Sequence, residues 1–267
     1  MQLDGKVVVI TGAGSGIGRA LAVSLATAGC RLVLVGRQVV ALEQTAAAIG
    51  SDKVLIVAAD IAKAEDRQRL LQQVEGGYGR LDILVNNAGM VAVGALADMT
   101  DGAIGAMVTT NLLAPMLLVR AFLPLLQLSG PGSRIVNVGS VFGDIAYPLF
   151  AAYSATKFGL RGFSDAMRRE LRRQGIGVTY IAPRATKTPA SAEFSALIEP
   201  FAMTMDSAET VAGQIRLAIA RDARTSYARG FERAFVLIQR LVPRLIDRAV
   251  SRQLAAARMK TAGGTGG

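Results

Sequence analysis

The chain has 267 residues, 51% of them hydrophobic, a length that fits one large α/β domain or two small ones with a substantial core. It contains no histidine, which excludes a Ser-His-Asp triad and any His-ligated metal site, and one cysteine, Cys30, which excludes an intrachain disulfide and points to a reducing compartment. The net charge of +10 is concentrated in residues 211–260, where eleven Lys/Arg oppose three Asp/Glu and leave only +2 for the rest of the chain.

Along the chain, short apolar runs alternate with longer helical patterns. Residues 6–10, Lys-Val-Val-Val-Ile, read as a buried strand, and 16–29 as a helix with Leu21 and Leu25 inward. A second strand is expected at 31–35, with Cys30 before it as a small buried hydrophobe, and a second helix at 39–49. Strands at 54–58 and 83–85 flank a helix at 65–74. A long helix at 104–126, a strand at 134–138, a helix at 153–173 and a strand at 177–181 follow. Continuous Val/Ile/Leu strands separated by helices predict a doubly wound α/β fold: one domain built on a parallel sheet with helices on both faces.

No secretory leader is expected, since Asp4 precedes an apolar run of only four residues, Val7 to Ile10. No membrane-spanning helix is expected either. The best candidate, 112–128, is broken by Pro115, Arg120 and Pro124. These features together suggest the cytoplasm.

Two motifs carry the chemistry. The first, Thr11-Gly12-Ala13-Gly14-Ser15-Gly16-Ile17-Gly18, follows the first strand and opens the first helix. Glycines there let the backbone approach a pyrophosphate, and the free N–H groups of a helix start bind it. The second is Tyr153-Ser154-Ala155-Thr156-Lys157. Its Tyr and Lys lie about one helical turn apart, so phenol and ammonium can share a face. A fixed cation beside a phenol favours the phenolate, so this spacing predicts a lowered tyrosine pKa and proton transfer near neutral pH.

The loop spacing, Gly-x-x-x-Gly-x-Gly, together with Asn86-Asn87-Ala88-Gly89, Asn111, Ser140 and Tyr153/Lys157 in that order, resembles the short-chain dehydrogenase/reductase family in its single-domain type. The resemblance covers about residues 3–188 and weakens toward 220. It implies a Rossmann fold and hydride transfer from a nicotinamide dinucleotide. It implies a catalytic set of Asn111, Ser140, Tyr153 and Lys157. Tyr153 would be acid in reduction and base in oxidation, with Ser140 orienting the substrate oxygen. Lys157 would lower the phenol pKa and bind the ribose, and Asn111 would hold a water linking Lys157 to solvent. The resemblance also implies cofactor contacts from Thr11, Gly12, Ser15, Gly16, Ile17, Gly18, Asp60, Ile61, Asn86, Asn87, Ala88, Gly89, Tyr153, Lys157, Pro183, Thr186 and Thr188. A homodimer or homotetramer is expected by the same analogy. One departure is visible: Pro183 is followed by Arg184 where the family usually has glycine, which suggests that Arg184 faces the cofactor or the lid over the substrate.

The second strand ends in Gly36-Arg37-Gln38, with no acid before Glu43 to accept from a ribose 2′-hydroxyl. Arg37 could instead pair with a 2′-phosphate, so NADP(H) is expected over NAD(H). Apolar residues around the active tyrosine, among them Phe142 and Tyr147, and an apolar lid at about 186–208 suit a lipophilic ketone, aldehyde or acyl thioester. Substrate contacts are expected from Ser140, Phe142, Tyr147 and Tyr153.

Residues 1–228 are thus read as the dinucleotide-binding and catalytic domain, 229–262 as a basic amphipathic helical extension, and 263–267 as a flexible tail. In the extension Phe231, Phe235, Ile238, Val242, Leu245, Ile246 and Ala249 fall on one face, Arg240, Arg244, Arg248 and Arg252 beside it, and Pro243 kinks or splits the helix. Three readings stay open: docking of the apolar face on the body or a sister subunit, peripheral attachment to anionic lipid, or docking of an acidic carrier protein. Nothing favours nucleic acid. The sequence therefore predicts an NADP(H)-dependent carbonyl reductase or alcohol dehydrogenase, with a 3-oxoacyl thioester reductase as runner-up. A non-catalytic dinucleotide sensor is the reading from another class.

Overall fold

Strands that are apolar at every position must be covered on both faces, and this chain solves that with helices on each side. The computed structural model describes residues 2–50, 53–228 and 230–263, with side chains up to 255. The expected flexible tail therefore falls, apart from Gly263, outside the described residues.

β1 (Val7–Thr11), α1 (Gly16–Thr27), β2 (Arg31–Gly36), α2 (Val39–Ile49), β3 (Val54–Ala58), α3 (Ala64–Tyr78) and β4 (Ile83–Asn86) make the first half. α4 (Asp101–Val108), a wide π-helical turn at Thr109–Leu113, α5 (Ala114–Leu128), β5 (Arg134–Val138), α6 (Ala151–Glu170) and β6 (Gly177–Ala182) follow. Then come β7 (Thr186–Lys187), α7 (Ser195–Ile198), β8 (Asp206–Ser207), α8 (Ala208–Ala220), β9 (Thr225–Tyr227), α9 (Glu232–Leu241) and α10 (Pro243–Gly263). The main sheet has seven strands in the order β3-β2-β1-β4-β5-β6-β9, all parallel. The fold is a single doubly wound Rossmann domain, as the sequence pattern predicts.

Alternation along each strand divides the core in two. Val8 and Ile10 point to the layer of α1, α2 and α8, where Leu21, Leu25, Leu42 and Ile215 are buried. Val7 and Val9 point to the layer of α3 and α5, with Leu70, Leu118 and Phe122. Strand order reverses between β1 and β4, so the cleft opens above the carboxyl ends of those strands. Cys30 is buried, its thiol donates to the Leu3 carbonyl, and burial pushes its pKa up to about 11.

Three expectations need correction. The single helix at 104–126 is interrupted by the π-helical turn. Pro115 has no N–H to give the carbonyl four residues back, that of Asn111, so the ladder widens there. Second, the run Asp101–Leu128 is long and apolar enough to cross a membrane by length and composition, against the sequence expectation. Its inward face, including Leu118, Phe122 and Leu126, packs on the sheet as a core helix does.

The third correction concerns the extension. Pro243 does split it, but α9 does not dock on the body by its apolar face. Glu232, Val236 and Arg240, one turn apart, turn toward the body: Glu232 pairs with Arg184 at 3.0 Å, Val236 is buried, and Arg240 reaches Asp144 at 3.4 Å. Phe231, Phe235, Leu237, Leu241 and Val242 are left exposed. The helix thus meets the body through the buried Val236 and through ion pairs to part-buried Arg184 and buried Asp144.

Candidate active site

The glycine loop bends tightly between β1 and α1. A Cβ on Gly18 would lie 2.1 Å from the Gly12 carbonyl oxygen, so the first turn of α1 closes on the loop only with glycine there. Ser15 precedes α1 in extended conformation with no side-chain cap, and no acid stands in the first turn. The first N–H groups of the helix therefore face the cleft without an internal partner, an arrangement that suits a phosphate. Arg19 braces the loop from behind, donating to the Gly14 carbonyl at 2.6 Å and to Thr45 at 3.2 Å, while Thr45 donates to the Ala13 carbonyl.

An open cleft of about 530 Å³ runs from this loop across the sheet ends. Gly12, Ser15, Gly16, Ile17, Arg37, Asp60, Ile61, Asn87, Ala88 and Gly89 line it together with Ser140, Phe142, Tyr153, Lys157, Pro183, Thr186 and Thr188. Three residues expected to touch a cofactor sit behind this wall. The Thr11 hydroxyl accepts from the backbone N–H groups of Asn87 and Ala88, both at 3.0 Å, and so fixes the strand-end loop. Gly18 packs on the loop itself. The Asn86 side chain is buried and donates to Asn137 at 2.8 Å. Their sequence neighbours reach the cleft; they support it.

Tyr153 and Lys157 share one face of α6, as their spacing predicts, with the ammonium 5.5 Å from the ring centre. The expected electrostatic effect is absent from the free pocket. Burial pushes the Tyr153 phenol up to about 12, only partly offset by a hydrogen bond with Ser140. Burial also lowers Lys157 to about 8, and its Nζ donates to the Val138 carbonyl at 3.1 Å. Desolvation is the largest cause of both shifts.

Ser140 caps a short turn at Val141–Gly143, its hydroxyl accepting from the Phe142 N–H at 3.1 Å. Asn111 is buried, its amide accepting from the Met90 N–H and donating to the Met90 carbonyl, both at 2.8 Å. That amide is thus committed to the backbone of Met90.

The sequence reading missed Tyr180. Its hydroxyl donates to the Ser140 carbonyl at 3.2 Å, accepts from the Ser140 N–H at 3.3 Å and lies 3.4 Å from the Lys157 carbonyl. A Cβ on Gly139 would meet this phenol at 2.1 Å. The available signal was Gly139 before Ser140, a glycine that no turn requires.

At the far end Phe142 stacks on Tyr147 at 4.9 Å and meets Phe150 edge-on at 5.0 Å. From the lid, Phe194 meets Phe150 and Phe201 meets Tyr147. Phe142 lines the cleft, but Tyr147, expected to contact substrate, stands behind it. The parallel pair β7–β8 draws the two ends of the lid together. Arg184 lines the cleft and bridges lid and extension, pairing with Asp206 at 2.6 Å and Glu232 at 3.0 Å. It thus faces the lid, one of the two expected directions.

The sheet order, the loop and the shared cleft define a dinucleotide-dependent oxidoreductase. Residues 6–197 match the family model described as short chain dehydrogenase, and the chain belongs to that short-chain dehydrogenase/reductase family. It is 36% identical over 183 residues to the ketoacyl reductase HetN of Nostoc sp. PCC 7120, a match spanning 68% of this chain and 63% of that protein. It is 30% identical over 260 residues to the uncharacterized oxidoreductase YxnA of Bacillus subtilis, spanning 94% of this chain and 73% of that protein. A short-chain dehydrogenase/reductase of Burkholderia phymatum, solved in complex with NAD, superposes with a TM-score of 0.85 at 25% identity, covering 92% of this chain and 96% of that one.

Proposed function

We propose that this oxidoreductase is NADP(H)-dependent and interconverts a lipophilic ketone or aldehyde with its alcohol. The observation that carries this reading is the convergence of Ser140, Tyr153 and Lys157 on the cleft that begins at the glycine loop. The residues fit a dinucleotide: uncapped N–H groups for the pyrophosphate at α1, Asp60 and Ile61 along the adenine side, Lys157 and Thr186 along the nicotinamide side. When bound, the dinucleotide supplies or accepts the hydride. Tyr153 then holds the proton at its phenol oxygen and gives it to the carbonyl oxygen, while the Ser140 hydroxyl orients that oxygen. Lys157 binds ribose hydroxyls, and Asn111 holds a water that resupplies the proton. Phe142, Phe150 and Phe194 exclude bulk water and select an apolar substrate.

NADP(H) preference rests on Arg37. It is exposed at the adenosine end of the cleft without an ion pair among the described residues, whereas Arg19 is spent on the loop. The Burkholderia relative was solved with NAD, which supports the dinucleotide and leaves the 2′-phosphate to Arg37. A 3-oxoacyl thioester is the second substrate reading, favoured by the aromatic wall and by the name of HetN. A pure sensor is disfavoured, since it has no use for a phenol beside a serine hydroxyl in the cleft. Assembly into a homodimer or homotetramer is proposed through exposed Val108, Leu113 and Met116 on the α4–α5 run and Phe158 on α6.

The test is consumption of NADPH and NADH against lipophilic ketones, aldehydes and acyl thioesters. NADPH should be preferred, and Arg37→Asp should lower NADPH efficiency about tenfold to a hundredfold while leaving NADH within a few-fold. Equal efficiency with both cofactors in the wild type would contradict the assignment.

A further inference from the structure

The C-terminal extension presents an apolar side that is left exposed among the described residues. α9 binds the body through Glu232, Val236 and Arg240, so Phe231, Phe235, Leu237, Leu241 and Val242 project outward, and Leu245 of α10 continues the surface. Phe231 is 79% exposed and Leu241 71%. Scattered exposed leucines are ordinary, but six large apolar side chains on consecutive turns mark a contact surface.

The charge beside it selects the occupant. Arg244, Arg248 and Arg252 recur every four residues along α10, all exposed and without an ion pair among the described residues. Asp247 is the only acid among them. A second copy of this chain is a poor fit, because a two-fold contact would bring the same three arginines against their copies with only Asp247 to answer them. An apolar strip that runs over two helices and is bordered by cations matches a flat anionic surface.

We propose that this extension docks the enzyme on anionic lipid, the apolar residues entering the headgroup boundary and the arginines pairing with lipid phosphates. Through Glu232 and Arg184 the docked helix is one side chain from the lid, so the mouth of the cleft lies beside the surface from which an apolar substrate would come.

The experiment is sedimentation of the full chain with vesicles of phosphatidylcholine containing phosphatidylglycerol, against phosphatidylcholine alone. The wild type should sediment with the anionic vesicles and release as salt is raised. Phe235→Ser with Leu241→Ser should weaken binding at least about tenfold, and Arg244→Gln with Arg248→Gln and Arg252→Gln by about a hundredfold. Both variants should bind NADPH as the wild type does, which shows that they are folded. The proposal is overturned if the wild type stays in the supernatant, or if either variant sediments like the wild type. It is equally overturned if light scattering shows the apolar variant splitting an oligomer while vesicles bind neither form, or if an acidic acyl carrier protein binds the extension and vesicles do not.

Discussion

Tyr153 shows how far spacing alone can be trusted. Its partner stands where one helical turn puts it, yet the phenol is raised to about 12, because both groups are enclosed and the ammonium is directed to the Val138 carbonyl. Identity and position were legible in the sequence; desolvation was not, since it depends on walls built by distant segments. The phenol is therefore protonated throughout the neutral range, the form that its proposed role as acid in carbonyl reduction requires. Alcohol oxidation needs the phenolate and should rise as pH increases toward the raised pKa. The ultraviolet phenolate titration of wild type minus Tyr153→Phe should show no ionisation below about pH 10, and a phenolate at pH 7 to 8 would restore the lysine-primed picture. Lys157 adds a stability effect of defined sign. Its folded pKa, about 8, lies below the ordinary 10.5, so burying the charge disfavours folding at all pH values below about 8. That penalty fades as pH rises from 8 to 10.5.

Tyr180 is the other residue-scale lesson. It lies in a strand and reads as core, and only the room left by Gly139 reveals that its hydroxyl supports Ser140. Tyr180→Phe should leave the Ser140 N–H buried without its partner, while the Ser140 carbonyl keeps the Gly143 N–H at 3.0 Å, lowering stability by about 1–3 kcal/mol. Because it acts by positioning Ser140, kcat should fall about tenfold with dinucleotide affinity unchanged. Unaltered kcat in a destabilised variant would reduce Tyr180 to packing.

At the scale of elements, the strands and the first two helices could be read from apolar runs and glycine punctuation, with bounds within a residue or two for most. The errors fall where a long-range partner decides. The π-helical turn follows from Pro115 meeting Asn111, a local cause visible in the sequence once the helix is assumed. The orientation of α9 does not: it is set by Arg184 and Asp144, far away in the chain. Short β7, β8 and β9 lack any run of their own and exist because neighbouring strands hold them. Arg184 joins three elements, being tied to Asp206 at the end of the lid and Glu232 at the start of α9. Arg184→Gly should leave two part-buried carboxylates unpaired, loosen both segments, and raise substrate KM several-fold while dinucleotide affinity changes little. Glu232→Gln should reproduce the smaller part of that effect. An unchanged KM in both would detach Arg184 from the lid.

At the scale of the whole molecule, the sheet reverses order between β1 and β4 and sets the glycine loop and the end of α6 on one cleft. The catalytic reading depends on that placement, which the order of motifs along the chain anticipated. Substrate identity was not legible, because Phe142, Phe150 and Phe194 offer shape and apolarity rather than a fixed polar partner. The most direct measurement is NADPH oxidation by Tyr153→Phe against the carbonyl substrate that the wild type turns over best. Turnover should fall by at least about a thousandfold, since the proton donor is removed, while NADPH binds with unchanged affinity. A variant that keeps wild-type turnover would contradict the assignment of Tyr153 as the group that moves the proton.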